Sequence, residues 1–192
     1  MQLVVFATAE EANATLLKTQ ARQQGSHFVF DHGIIVISGI GPFAGYTAIE
    51  PFIAQASIVI NPGIAGALHD GIQVGSIYSI SSVAKLIWHP KQSTTTEALC
   101  IGTAGQPALC TVDFPLHCPT LRDQLQSRFD LVDMEGYAIC LQAHRHKKPV
   151  QLYKIASDRC TEETSQEIKK NLPFYSQMLC DILYANNSSS EE

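Results

Sequence analysis

Short runs of β-branched and aliphatic residues, several apolar on both faces, alternate along the chain with longer amphipathic stretches, and this alternation constrains the fold more than any other feature. Residues 3–7, 33–38, 57–61, 76–83, 109–112 and 150–155 read as strands. A strand that is apolar at every position has no face left for water, so it needs cover above and below. Residues 10–24, 43–55, 120–129, 134–146 and 163–184 carry helical spacing that supplies this cover. The pattern predicts an α/β fold with a mixed or parallel sheet between helices. Pro51 predicts a kink or an early end in the second helix. Residues 89–105 are polar, include Thr94, Thr95 and Thr96, and read as a surface excursion. The last residues, 186–192, read as a solvated, disordered tail, leaving residues 1–185 as one domain.

Composition narrows the function classes. A chain of 192 residues buries about 70% of its unfolded surface, so the core needs no metal or disulfide staple. With 13 Lys plus Arg against 18 Asp plus Glu, and no basic run longer than Lys147-Lys148, nucleic-acid and anionic-membrane surfaces are not expected. Small-molecule partners are. The apolar start breaks at Glu10-Glu11, short of a signal or membrane-spanning stretch, so a cytoplasmic protein is expected. The six cysteines lie 8 to 22 residues apart with no Cys-x-x-Cys pair and read as reduced, mostly buried small hydrophobes. His144-x-His146 would splay its rings on a helix, and His27, His32, His69, His89 and His117 share no ligand spacing. Each histidine reads as a lone surface or core residue, and no metal site is expected.

In open α/β sheets the ligand lies beyond the carboxyl ends of the strands, which makes the strand ends the informative positions. Five junctions stand out: residues 7–11, 38–41, 61–66, 157–158 and 132–136. Each has an ordinary structural use. Glu10 and Glu11 suit a helix dipole, Ser38-Gly39-Ile40-Gly41 and Asn61-Pro62-Gly63 suit turns, and Ser157-Asp158 suits a helix cap. Their joint placement favours function: Glu11, Glu135 and Asp158 all fall on the expected ligand side, beside glycines that admit close approach. Paired carboxylates are what metal-free glycosidic hydrolysis requires, one protonating the leaving group and one activating water.

Taken in order, Ala7-Thr8-Ala9-Glu10-Glu11, Ser38-Gly39-Ile40-Gly41, Asn61-Pro62-Gly63-Ile64-Ala65-Gly66-Ala67, Val74-Gly75-Ser76, Val132-Asp133-Met134-Glu135-Gly136 and Ser157-Asp158 resemble the purine nucleosidase branch of the nucleoside phosphorylase superfamily. The resemblance covers residues 2 to about 185. It implies a three-layer α/β fold with a twisted mixed sheet flanked by helices, a homodimer and a purine nucleoside as substrate; nothing in the sequence indicates a cofactor. It also implies roles. Asp158 matches the general acid on purine N7, and Glu11 the residue that positions and deprotonates the attacking water. Glu135 matches the carboxylate on the ribose hydroxyls, with Met134 beneath the sugar. The turns bring Ile40, Gly63, Ile64, Ala65 and Gly66 to the substrate, and Phe114 falls where the family stacks an aromatic ring on the base.

A phosphorolytic enzyme must hold a phosphate dianion, normally with arginines at early strand ends. Residues 1–21 and 23–84 contain no arginine, and Glu11 would repel phosphate, so water is the expected nucleophile. Within the resemblance, Gly63-Ile64-Ala65-Gly66 and Asp133-Met134-Glu135-Gly136 look most like futalosine hydrolase, which serves the futalosine route to menaquinone. Methylthioadenosine/S-adenosylhomocysteine nucleosidase is the alternative, followed by a phosphorylase and a non-catalytic nucleoside-binding protein. Arg159 departs from the small or neutral residue of the family. Facing Asp158 it would hold the anion and weaken a general acid, so it is expected to point away.

Overall fold

The structure, a computed structural model, describes residues 1–89, 93–161 and 164–188. Its elements in chain order are β1 (Gln2–Phe6), α1 (Ala9–Thr19), β2 (Arg22–Gln24), β3 (His27–Phe30), β4 (Gly33–Ile37), α2 (Pro42–Ile53), β5 (Ile58–Ala67), β6 (Ile77–Ser79) and β7 (Ser82–Ile87). They continue with β8 (Thr94–Thr95), β9 (Leu99–Cys100), β10 (Ala108–Thr111), α3 (Pro119–Leu125), β11 (Leu131–Asp133), α4 (Gly136–Arg145), β12 (Val150–Asp158) and α5 (Thr164–Ser188).

The doubly apolar reading of the first strand explains the layering. In β1, Leu3 and Val5 point to one face and join Ile49, Ile53 and Ile139 of α2 and α4. Val4 and Phe6 point to the other face and join Ala12 of α1 and Tyr175, Leu179 and Leu183 of α5. All four β1 side chains are buried, each worth about 1.5–3 kcal/mol of apolar transfer. Among the described residues the central sheet has 12 strands, and its main path runs β2-β3-β4-β1-β5-β11-β10-β7-β8. β1 runs parallel to β4 and β5, β12 parallel to β5, and β10 parallel to β11 and β7. Antiparallel pairs such as β5 with β11 and β6 with β12 make the sheet mixed, as expected. A separate apolar cluster forms where Leu121 and Leu125 of α3 pack with Cys110 and Val132. Among the described residues no helix is long and apolar enough to cross a membrane.

Several expected boundaries move, each for a physical reason. The first helix stops at Thr19, where Gln20 takes the left-handed conformation at φ 51° and donates its N–H to the Leu16 and Leu17 carbonyls. The residues expected to continue it form β2, the first strand of a hairpin with β3. The turn expected at Asn61-Pro62-Gly63 does not exist: β5 runs straight through to Ala67. Proline is tolerated there because β1 pairs with β5 only as far as Val4 and Ile60, so Pro62 lies past the end of that ladder. Residues 76–83 form not one strand but β6 and β7, separated by Ile80-Ser81. The polar excursion at 89–105 contributes β8 and β9, both paired antiparallel to β7; residues 90–92 lie outside the described residues. Pro51 sits near the end of α2, which stops at Ile53. α5 continues to Ser188, past the expected boundary at 185, and the rest of the expected tail lies outside the described residues. Cys110, Cys140, Cys160 and Cys180 are buried, Cys100 and Cys118 exposed, and all six are free.

Candidate active site

Glu11 owes its position to the first turn of α1. Thr8 is the N-cap: its Oγ1 accepts from the Glu11 N–H at 3.2 Å, while Glu11 Oε2 accepts from the N–H groups of Ala7 (3.1 Å) and Thr8 (3.3 Å). This reciprocal capping box buries the carboxylate at the end of β1, leaving it 3% exposed. Burial pushes its pKa above the ordinary value; the Lys154 ammonium and the N–H groups of Thr8, Ala7 and Ile64 offset part of that rise. The helix-start use expected of Glu11 is therefore met by the capping box.

Glu135 and Met134 lie between β11 and α4, not inside the helix expected from residue 134. Gly41, at φ 105°, turns its N–H onto Glu135 Oε1 at 2.7 Å, a backbone conformation that favours glycine. Burial, with the nearby Asp133 charge, pushes Glu135 up to about 7 against the pull of Lys154.

Asp158 closes β12. It does not cap α5, which begins only at Thr164. Its Oδ2 lies 2.6 Å from Ser157 Oγ, and its Oδ1 accepts from the Cys160 N–H at 2.7 Å. A Cβ at Gly66 would collide with Cys160 Sγ, so glycine is what allows β5 and this turn to close on each other. Arg159 points away from the carboxylate as expected, with its guanidinium donating to the His69 carbonyl at 2.8 Å and lying 3.7 Å from Asp70.

These side chains face one cavity of about 280 Å³. Glu11, Ile40, Ile64, Ala65, Gly66, Met134, Glu135 and Asp158 line it. Gly63 does not: it lies over the Lys154 ammonium within the sheet. Phe114 is not in the lining either. It is 38% exposed and meets Trp88 edge-on at 6.4 Å, and Pro115, Leu116 and His117 form the wall in its place.

Beneath the cavity lies a polar group the sequence reading missed. Lys154, 1% exposed, places Nζ 2.9 Å from Asp133 Oδ2 and donates to Asn61 Oδ1 at 2.8 Å. Asp133 also accepts from Thr111 Oγ1 and the Gly136 N–H, and Asn61 donates to the Val5 carbonyl. Burial alone would lower the Lys154 pKa, but Asp133, Glu135 and Glu11 outweigh it and the ammonium is held above its ordinary value. A signal existed: Lys154 is a charged residue between Leu152-Tyr153 and Ile155-Ala156, and Asn61 ends the apolar run Ile58-Val59-Ile60. His117, read as an isolated histidine, was the second omission.

Solved structures that share this fold include purine nucleosidases, from the nucleosidase branch of the nucleoside phosphorylase superfamily. No family model matches the sequence, and no curated protein matches it. Among the structures, the MTAN of Chlamydia trachomatis bound to adenine is 25% identical, with TM-score 0.81, covering 98% of this chain and 97% of that one. A futalosine hydrolase mutant of Helicobacter pylori is 15% identical with TM-score 0.79 and 98% coverage of both chains. The 5′-methylthioadenosine/S-adenosylhomocysteine nucleosidase of Helicobacter pylori is 15% identical with TM-score 0.78, covering 98% and 97%.

Proposed function

We propose that this chain hydrolyses the N-glycosidic bond of a 5′-modified purine nucleoside. The observation that carries the reading is that Glu11 and Asp158, from opposite ends of the sequence, line one cavity together with Glu135 and Met134. Asp158 donates a proton to purine N7, so that the base leaves neutral. Ser157 Oγ and the Cys160 N–H fix the orientation of its carboxyl group. Glu11 takes the proton of the attacking water, and the burial that raises its pKa makes it a stronger base. Glu135, with Oε1 tied to Gly41, offers its other oxygen to the ribose hydroxyls. The oxocarbenium-like sugar then forms between carboxylates, on the backbone of Ala65 and Gly66.

Within this reading the preferred substrate is futalosine or 6-aminofutalosine, supported by the Gly63-Ile64-Ala65-Gly66 segment. A methylthio-nucleoside is the second reading, favoured by the apolar wall of Ile40, Ile64, Ile168 and Leu172, which suits a greasy 5′ group. The test measures free purine from 6-aminofutalosine, futalosine, methylthioadenosine and S-adenosylhomocysteine, with and without phosphate. Phosphate-independent release is expected, lowered about a hundredfold or more in Glu11→Gln and in Asp158→Asn. Phosphate-dependent release would move the assignment to a phosphorylase, and full activity in both variants would remove these two residues from the mechanism.

A further inference from the structure

Cys160, in the turn that follows β12, lines the cavity together with Asp158. Cys160 gives its N–H to Asp158, and one residue later the Thr161 carbonyl lies 3.1 Å from Nδ1 of His117. A carbonyl oxygen can only accept, so Nδ1 carries the hydrogen, and in the neutral ring Nε2 is left with a lone pair. The His117 ring lines the cavity, and among the described residues no hydrogen bond engages Nε2. One short turn thus fastens both Asp158 and an acceptor nitrogen of the same cavity.

Purine chemistry says what such a pair can read. N7 and the substituent at position 6 share one edge of the base; a 6-amino purine shows an acceptor beside an N–H donor, a 6-oxo purine two acceptors. A base that offers N7 to Asp158 carries its position-6 group on the same edge, towards the neighbouring polar side chain. The rest of that wall, Pro115 and Leu116, has no polar side-chain atom to compete. We infer that His117 reads the position-6 substituent and selects 6-amino over 6-oxo purines, with Nε2 accepting from the exocyclic amine. An oxo group at that position would instead meet the Nε2 lone pair. The inference rests on the nucleosidase reading for its orientation of the base.

The experiment compares matched pairs, 6-aminofutalosine with futalosine and methylthioadenosine with methylthioinosine, in mildly alkaline buffer. Binding of free adenine and hypoxanthine is measured by calorimetry on the same proteins. Wild type is expected to favour the 6-amino member of each pair. His117→Leu lowers kcat/KM on that member about tenfold, as for loss of one hydrogen bond, and narrows the preference from both sides, since the 6-oxo member no longer meets the Nε2 lone pair. His117→Gln, which keeps an acceptor, retains part of the preference. Equal use of both members by wild type, or an equal loss on both in His117→Leu, overturns the inference. If no nucleoside is cleaved but adenine binds over hypoxanthine and His117→Leu abolishes the difference, the nucleosidase reading falls and the role of His117 stands.

Discussion

A lysine that is 1% exposed is the least expected residue in the molecule, because an unpaired ammonium could not remain charged there. Lys154 stays charged because Asp133 and Asn61 satisfy it directly and because Glu11 and Glu135 add their fields. The dependence is mutual: without the ammonium, Asp133 would be a buried anion left with the Thr111 hydroxyl and the Gly136 N–H as partners. Lys154→Met is expected to lower stability by about 3–5 kcal/mol in urea titrations, the range for breaking a buried pair from one side. The double variant Lys154→Met with Asp133→Asn should recover part of that loss, since the buried Asp133 charge is removed together with its ammonium partner. An unchanged midpoint in the single variant would show that the pair contributes nothing net.

At the level of elements, the junction between β5 and the turn after β12 is the tightest restraint on the site. Gly66 faces Cys160, whose backbone is left-handed at φ 55° and whose N–H holds Asp158. Gly66→Ala is expected to destabilise by about 1–3 kcal/mol through overpacking and to displace the Asp158 turn, lowering kcat. Adding Cys160→Ala removes the colliding sulfur, so the two changes should be clearly non-additive in a double-mutant cycle. Simple additivity would mean that the collision is absorbed elsewhere. The same junction marks how far the sequence could be read. The doubly apolar strands, the helical cover and the three strand-end carboxylates were legible because hydrophobic period and strand-end position are local properties. The passage of β5 through Pro62 was not, since it depends on where β1 stops pairing, and the wall of Pro115, Leu116 and His117 was not, since Phe114 carries the stronger aromatic signal but turns to Trp88. Lys154 escaped for a related reason: its partners Asn61 and Asp133 lie on different strands, and only the sheet order brings them together.

For the whole molecule, the resemblance implies a homodimer, and the surface carries apolar side chains available to one: Phe43 is 81% exposed, Ile40 63% and Trp88 53%. Sedimentation is expected to give a dimer that Phe43→Glu or Trp88→Glu weakens; a monomer at all concentrations would refute it. The crowding of acids around one lysine has a further consequence, in the proton inventory of folding. Glu135 titrates at about 7 in the folded chain against an ordinary value of 4.5, so between those limits the native state holds a proton the unfolded state has released. The sign follows directly: the contribution of this group to stability is complete below about 4.5 and is lost as the pH rises towards 7. Unfolding near pH 6 therefore delivers protons to the solution. The calorimetric enthalpy of unfolding should differ between buffers by their heats of ionisation, and Glu135→Gln should shrink that difference. The acid cluster beneath the cavity would then be visible as heat exchanged with the buffer, in an experiment that contains no substrate.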